Sequence, residues 1–353
     1  MNNKYQLLTA TSMGVRLTPA NHQPAGIGNL YVMTSTSAES NVLNVAASLG
    51  MRVKVLTRFV RDSPVAAFIK GDLRRRNIEF EGPDIEQKGP WGCRHQFNIA
   101  DTGYGMRGPR VYNDRAGEAG RGIHAGDFDL KRIFEDEGVE IVHMSGLFAA
   151  MSPETGETCL RLAELARANN ARVSFDLNYR ASFWKGRESD LRHVFSSIAS
   201  RADILVGNEE DFQLALGIPG PEAGGKDLAD KIESFKEMIA RARVAYPNAT
   251  TFATTLREVM NANQHNWGAV LLREDKWHVA EPRPIPILDR IGGGDGFVGG
   301  LLYGILKGWG PEDCLHFAWA AGAMATTMIE DFAMPADEEQ VWNVWKGNAR
   351  VKR

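Results

Sequence analysis

Near the C-terminal end, Asp289-Arg290-Ile291-Gly292-Gly293-Gly294-Asp295-Gly296 runs directly into a helical stripe of Phe297, Gly300, Leu301 and Gly304. Three successive glycines leave backbone N–H groups uncovered, and a helix starting there adds the positive end of its dipole. Such a turn suits an anion. Asp295 stands among those donors, whose positive potential is expected to keep it ionised. A carboxylate so placed can accept the proton of an attacking hydroxyl while the amides stabilise charge on a transferred phosphoryl group. On local pattern alone, a plain structural turn with Asp295 as its N-terminal charge is the alternative. The segment is not a Walker A loop, because no Gly-Lys-Ser or Gly-Lys-Thr follows. Nor is it the dinucleotide fingerprint, which belongs after the first strand.

The elements that must position this segment alternate along the chain. Val42, Val45, Ala46 and Leu49 follow helical spacing, with Gly50 at the C-cap, and Met51, Val53 and Val55 then alternate as a strand with one buried face. Ser63-Pro64 reads as N-cap and first turn of a helix with Val65, Phe68, Ile69 and Leu73 inside, closed by Arg74-Arg75-Arg76 as a solvated end that complements the dipole. Glu140–Met144, Arg172–Phe175 and Asp203–Val206 are further strands, with a helix from Ser152-Pro153 carrying Cys159, Leu162, Ala163 and Ala166. Strands alternating with helices imply a parallel sheet covered on both faces, with ligands beyond the strands' carboxyl ends. That rule singles out Ser145-Gly146, Asp176 to Arg180, and Gly207 to Asp211.

Residues 16–33 and 91–119 break the alternation, being rich in Gly, Pro, Asn and Arg without a helical stripe. They read as hairpins that form a small β-rich lid over the site, or as ordinary long loops. The expected organisation is a body of residues 1–15, 34–90 and 120–353 with a discontinuous lid of 16–33 and 91–119.

Composition narrows the partners. The chain has 353 residues, 43% of them apolar, with 41 Lys+Arg against 44 Asp+Glu and a net charge of −3. This excludes a disordered or fibrous chain and gives no electrostatic case for nucleic acid or an anionic membrane. No stretch reaches the length of a membrane span and no charged leader precedes an apolar run, so a cytoplasmic protein is expected. Cys93, Cys159 and Cys314 have no metal-ligand spacing, and the eight His include no HExxH.

DRIGGGDGFVGG resembles the C-terminal signature of the ribokinase-like (PfkB) carbohydrate kinases, Asp-x-x-Gly-Ala-Gly-Asp-x-Phe-x-x-Gly, with Gly293 in place of the Ala. Further matches follow in family order over nearly the whole chain: ESNVLNVAASLG, TRFVRDSPVAAFIKGDLRRRNIE, SFDLNYRASFW, VGNEEDF, and TTLREV with NWGAV. The last four, with DRIGGGD, look most like the 2-keto-3-deoxygluconate kinase branch. The resemblance implies a three-layer α/β/α fold with a central, mostly parallel sheet and a β-rich lid. It also implies transfer of the γ-phosphate of ATP to the terminal hydroxyl of 2-keto-3-deoxygluconate, giving 2-keto-3-deoxy-6-phosphogluconate.

By position, Asp295 matches the family's catalytic base, and Gly292, Gly293 and Gly294 match the anion hole. Asn208 and Asp211 fall on the Asn-x-x-Glu motif that organises Mg²⁺ and phosphates through water. Asp211 is one methylene shorter than the usual Glu, and Glu210 is the alternative carboxylate. An acidic helix N-terminus also accounts for Glu209–Asp211. Arg180 matches the branch's substrate arginine and would grip a carboxylate bidentately, a structural salt bridge being the alternative. Arg115 matches the Arg of a segment that the family places on the lid over the substrate, which makes Arg115 and Asn113 expected substrate contacts, although Asn113-Asp114 stands where aromatic residues are common. Asn41 matches a substrate-contacting Asn, although Thr36-Ser37 replaces the Gly-Gly before it. Thr255 and Arg257 are the expected nucleotide contacts, although Arg257 and Glu258 stand where many relatives have glycines.

The resemblance further implies Mg²⁺, a monovalent cation in many members, a homo-oligomer through the lid, and small-molecule partners only. Two other readings remain: a kinase for fructose, ribose or another keto-acid, and a catalytically weak sensor that binds a sugar acid. The intact GGGD opposes the sensor, since a binder needs no carboxylate at the helix start.

Overall fold

Neighbouring residues on a strand point to opposite faces, and the central strands are apolar on both. Leu7 and Ile141 enter one apolar cluster while Leu8 and Val142 enter the other. The sheet therefore lies in the middle layer of three. The computed structural model describes residues 4–220 and 232–351, so residues 1–3, 221–231 and 352–353 of the expected body lie outside the described residues.

The main strands are β1 (Tyr5–Ala10), β2 (Gly14–Pro19), β3 (Tyr31–Thr36), β4 (Val53–Leu56), β5 (Glu79–Glu81), β6 (Phe97–Ala100), β7 (Val111–Asp114), β8 (Val139–Ser145), β9 (Arg172–Asp176), β10 (Ile204–Val206), β11 (Thr251–Asn261), β12 (Gln264–Arg273) and β13 (Lys276–Pro286). Among the described residues nine of them form one sheet in the order β13-β12-β11-β10-β9-β8-β1-β4-β5. Its pairs are parallel except for β11 with β12 and β12 with β13. A second, four-stranded sheet has the order β3-β2-β6-β7, so residues 16–33 and 91–119 do contribute to a common sheet. Its strands begin at Gly14 and reach Thr36, beyond the 16–33 bounds.

The helices that shape the site are α1 (Ala38–Ser48), α2 (Pro64–Arg75), α3 (Pro153–Ala168), α4 (Glu188–Ala199), α5 (Glu209–Leu216), α6 (Ile232–Ala245), α7 (Gly293–Leu306), α8 (Pro311–Ala325) and α9 (Glu338–Trp345). Ser37, Ser63 and Ser152 cap the helices that follow them, each accepting a backbone N–H three residues on. A Cβ at Gly300 would come within 2.8 Å of the Ala318 Cα, so glycine there lets α7 lie directly against α8. No helix among the described residues is long and apolar enough to cross a membrane.

Two local readings are corrected. β4 is buried on both faces: Lys54 is 4% exposed and its Nζ meets Glu81 at 2.9 Å and Glu137 at 3.3 Å, because β1 and β5 flank it in mid-sheet. The basic end of α2 is not wholly solvated. Arg76 is buried, donating to the Asn44 Oδ1 at 2.8 Å and the Ser35 Oγ at 3.0 Å, with its guanidinium 4.0 Å from the Phe332 ring centroid. It pins α2 to α1 and β3, and burial depresses its pKa to about 10.

Candidate active site

The glycine turn is built by what lies behind it. Gly292 adopts φ +86°, the left-handed region, and a Cβ there would stand 2.0 Å from the Asp331 carbonyl oxygen. Asp289 holds the approach, its Oδ1 accepting the Ile291 N–H at 3.0 Å and its Oδ2 accepting from Arg16 on β2. At Gly294 a Cβ would project into open space. The amides of Gly293, Gly294 and Asp295 open α7 with no side-chain cap and no backbone acceptor among the described residues. Unpaired donors, a dipole and clear room fit a phosphoryl group.

Asp295 is half-buried in that first turn, and Asn41 on α1 donates to its Oδ2 at 2.9 Å. Burial raises its pKa to about 7; the Asn41 bond opposes the rise, while the nearby Asp331 and Glu39 charges add to it. This corrects the expectation that the amide potential holds Asp295 ionised. Desolvation outweighs the donors, and the carboxyl titrates where a general base works best near neutrality. Glu39 beneath it is itself pushed up by burial and accepts from Thr11 and Ser145 hydroxyls.

A cavity of about 1180 Å³ lies between the two sheets and the carboxyl ends of β9, β10 and β11. Of the residues singled out from sequence, Asp295, Gly292, Gly294, Asn208, Glu210, Asp211, Thr255, Arg257, Arg180, Arg115, Asn41 and Asn113 all line it. Gly293 sits behind the wall, its Cβ position 3.0 Å from a Thr326 methyl. The cavity also gathers Arg16, Asp176, Arg290 and Asp331, none of which was assigned a role. Asp176 and its strand end fell under the topological rule; Arg16 had no signal, since its partner Asp289 is 273 residues away.

Asn208 caps α5, accepting the Glu210 and Asp211 N–H groups at 2.9 and 3.1 Å. Asp211 returns the bond with Oδ2 to the Asn208 N–H, and its Oδ1 accepts from the Tyr179 N–H, both at 2.8 Å. Both Asp211 oxygens thus hold backbone, and the exposed Glu210 carries the freer carboxylate. Burial raises Asp211 to about 6, while burial and the charges of Asp211 and Asp295 raise Asp176 well above its ordinary value. No group of three His, Cys, Asp or Glu among the described residues forms a cage for a metal ion. A divalent ion fits here only with phosphate and water completing its shell, and it would relieve the crowding of these carboxyls.

The arginines divide by partner. Arg115 meets both oxygens of Glu118, at 2.8 and 3.0 Å. Arg180 makes no ion pair among the described residues; its Nη1 donates to the Tyr179 carbonyl at 2.8 Å and its side chain is exposed to the cavity. The salt-bridge alternative for Arg180 is therefore not what the structure contains.

Comparisons with known proteins agree with this architecture. The model of the pfkB family carbohydrate kinases matches residues 124–255 and 260–332, more than half of the chain. The chain is 27% identical over 205 residues to a 5-dehydro-2-deoxygluconokinase of Clostridium perfringens, covering 58% of this chain and 54% of that protein. It thus spans about half the length of the 5-dehydro-2-deoxygluconokinases that it matches. It is also 24% identical to a 2-dehydro-3-deoxygalactonokinase of Haloferax volcanii, over 99% of both chains. The crystal structure of 2-dehydro-3-deoxygluconokinase from Thermotoga maritima superposes with a TM-score of 0.84 and 26% identity, covering 98% of this chain and 99% of that one. With a ribokinase-like sheet, a glycine turn at the start of α7 and a family match over both, the chain belongs to the pfkB family of carbohydrate kinases.

Proposed function

We propose that the protein transfers the γ-phosphate of ATP to the terminal hydroxyl of a keto-deoxy sugar acid, with 2-keto-3-deoxygluconate as the reference substrate. One observation carries the reading: a half-buried carboxyl with a pKa of about 7, Asp295, beside unpaired helix-start amides, in a cavity that also holds the unpaired Arg180. Asp295, oriented by Asn41, takes the proton of the sugar hydroxyl as that oxygen bonds to the γ-phosphorus. The bond to the bridging oxygen breaks and ADP leaves with its electron pair. The Gly293 and Gly294 amides meet the charge on the transferred group. Mg²⁺ supplies charge neutralisation on the phosphate oxygens when bound, with Glu210 and the Asn208–Asp211 cap as the residues that would hold it, through water. Arg180 supports a substrate that carries a carboxylate, since an unpaired guanidinium matches its two oxygens.

The second sheet acts as a lid that keeps water from the phosphoryl group. Its outer strands expose Val32, Met33, Val111 and Tyr112, which supports pairing of two lids in a homo-oligomer. ADP release is measured with 2-keto-3-deoxygluconate, 2-keto-3-deoxygalactonate, 5-keto-2-deoxygluconate, fructose and ribose, with a no-sugar control. The reading expects turnover with a keto-deoxy acid above all neutral sugars. Preference for fructose or ribose refutes the acid assignment, and release without sugar or none at all refutes the kinase.

A further inference from the structure

Arg290 is a cavity charge without an assigned role, and Arg257 is expected at the nucleotide without a named part of it to hold. Arg290 stands two residues before Gly292, and Arg257 projects from β11 on the same cavity wall. Neither makes an ion pair with any described residue, in a protein that pairs most of its other cavity-side cations: Arg16 with Asp289 and Arg115 with Glu118. Arg257 opens to the cavity, yet packing around it, followed by the like charge of Arg290, brings its pKa down to about 10. His265, across the β11–β12 ladder opposite Val259, is pushed down to about 4 by burial and then by the same two guanidiniums. Two guanidiniums from two elements therefore lie close enough to repel each other beside a neutral imidazole; Glu209 and Asp211 act on Arg257 at a distance, but neither arginine forms a salt bridge with a described residue. Folding alone gains nothing from this, because two guanidiniums repelling each other in a concave wall oppose it.

The placement says which anion. Arg257 lies within electrostatic reach of Arg290, Arg180, and Glu209 and Asp211 at the start of α5, and on the β11–β12 ladder it stands opposite Trp267, whose ring comes within 3.8 Å of the Cβ position of Gly293. The two ends of its reach are thus the glycine turn, where the transferred phosphoryl group would sit, and the capped helix that would organise the metal and phosphates. A sugar carboxylate is small and already has Arg180; a chain of phosphates reaches both ends of this span.

We propose that Arg257 and Arg290 form a two-pronged clamp on the diphosphate that departs as ADP, an inference that rests on the kinase reading above. The guanidiniums bind the non-bridging oxygens of the β-phosphate, one from each side. They meet the negative charge that arrives on the β-phosphate when the bond to the γ-phosphorus breaks, a role that the amides of the glycine turn, aimed at the γ-phosphate, do not fill.

The test is titration calorimetry of ADP and AMP, in Mg²⁺, with the wild type, Arg257→Met, Arg290→Met and the double variant, alongside kinetics with 2-keto-3-deoxygluconate and melting curves. Methionine keeps most of the stem volume, so folding is expected to persist. Loss of one charge-assisted contact is expected to weaken ADP about 10- to 100-fold per arginine, with AMP changed less than about twofold. The KM for ATP rises and kcat falls while the KM for the sugar stays within about twofold. Arg290→Lys restores part of the ADP affinity, since charge returns without the fork. Equal loss of ADP and AMP, or unchanged ADP affinity in both well-folded single variants, overturns the clamp. A rise confined to the sugar KM overturns it too, by assigning the pair to the substrate carboxylate. If the wild type binds neither ADP nor ATP, the kinase reading itself falls; if it binds them and the variants bind equally well, only the clamp does.

Discussion

Replacing Asp295 by Asn should cost catalysis and stabilise the fold, and the two effects have one cause. Burial lifts the Asp295 carboxyl from 3.8 to about 7. Below pH 4 it is protonated in folded and unfolded chains alike. Between pH 4 and 7 the unfolded chain has released the proton while the folded protein keeps it, so stability falls as pH rises; above pH 7 the full cost of the buried charge is present. A shift of about three units at ~1.4 kcal/mol each puts that cost on the order of 4 kcal/mol. The amide of Asn carries no charge and can still accept from Asn41 through its oxygen. Asp295→Asn should therefore melt higher than the wild type at pH 8, on the order of 5 °C, with the difference vanishing towards pH 4. Loss of the general base should lower kcat about 10²- to 10⁴-fold while nucleotide binding persists. The wild-type kcat/KM for the sugar should rise with pH through about 7, and this limb should be absent in the variant. Near-normal turnover would sink the base assignment. Equal melting at pH 8 would refute the desolvation argument even if turnover were lost.

Arg180→Ala should raise the KM for 2-keto-3-deoxygluconate about 10- to 100-fold and that for a neutral sugar much less, as steady-state kinetics on both would show. Gly292→Ala forces a side chain against the Asp331 carbonyl at a positive φ; turnover should collapse with a lowered melting temperature, and a stable active variant would contradict the described turn. Asn41→Leu removes the bond that favours the ionised base, so the acid limb of kcat/KM should move upward; a downward move would mean Asn41 acts elsewhere. Arg76→Met removes the buried donor to Asn44 and Ser35, leaving Asp72 with Arg75, and should cost about 1–3 kcal/mol in denaturant unfolding without altering the KM for ATP.

What could be read from the sequence follows how local its physical signal is. Ser63-Pro64 and Ser152-Pro153 mark helix starts because cap and first turn lie within three residues. The glycine turn and Asp295 are legible for the same reason. The state of Asp295 is not, because its pKa depends on Asn41, Glu39 and Asp331 brought from two other parts of the chain. Arg74-Arg75-Arg76 shows the limit from the other side: all three have the same local context, but only Arg76 meets Asn44 and Ser35 once α2 has packed. Lys54 misled for a similar reason, since its alternation pattern cannot reveal strands on either side that supply Glu81 and a helix end that supplies Glu137.

The buried Arg16–Asp289 pair explains how a second sheet made of sequence-distant hairpins can be set against the glycine turn. Arg16 lies on β2, between Thr34 of β3 and Asn98 of β6, and so belongs to the middle of the second sheet. Asp289 belongs to the approach of the glycine turn, where its other oxygen fixes the Ile291 amide. One carboxylate thus holds both the orientation of the turn and the seat of the second sheet. A buried pair of this kind adds little net stability over an apolar contact, but separating its members leaves two desolvated charges, so the two parts resist displacement relative to each other. The near-neutral chain charge hides this arrangement. The cavity works through where a few charges are paired and where Arg180, Arg257 and Arg290 are not, rather than through an excess of either sign.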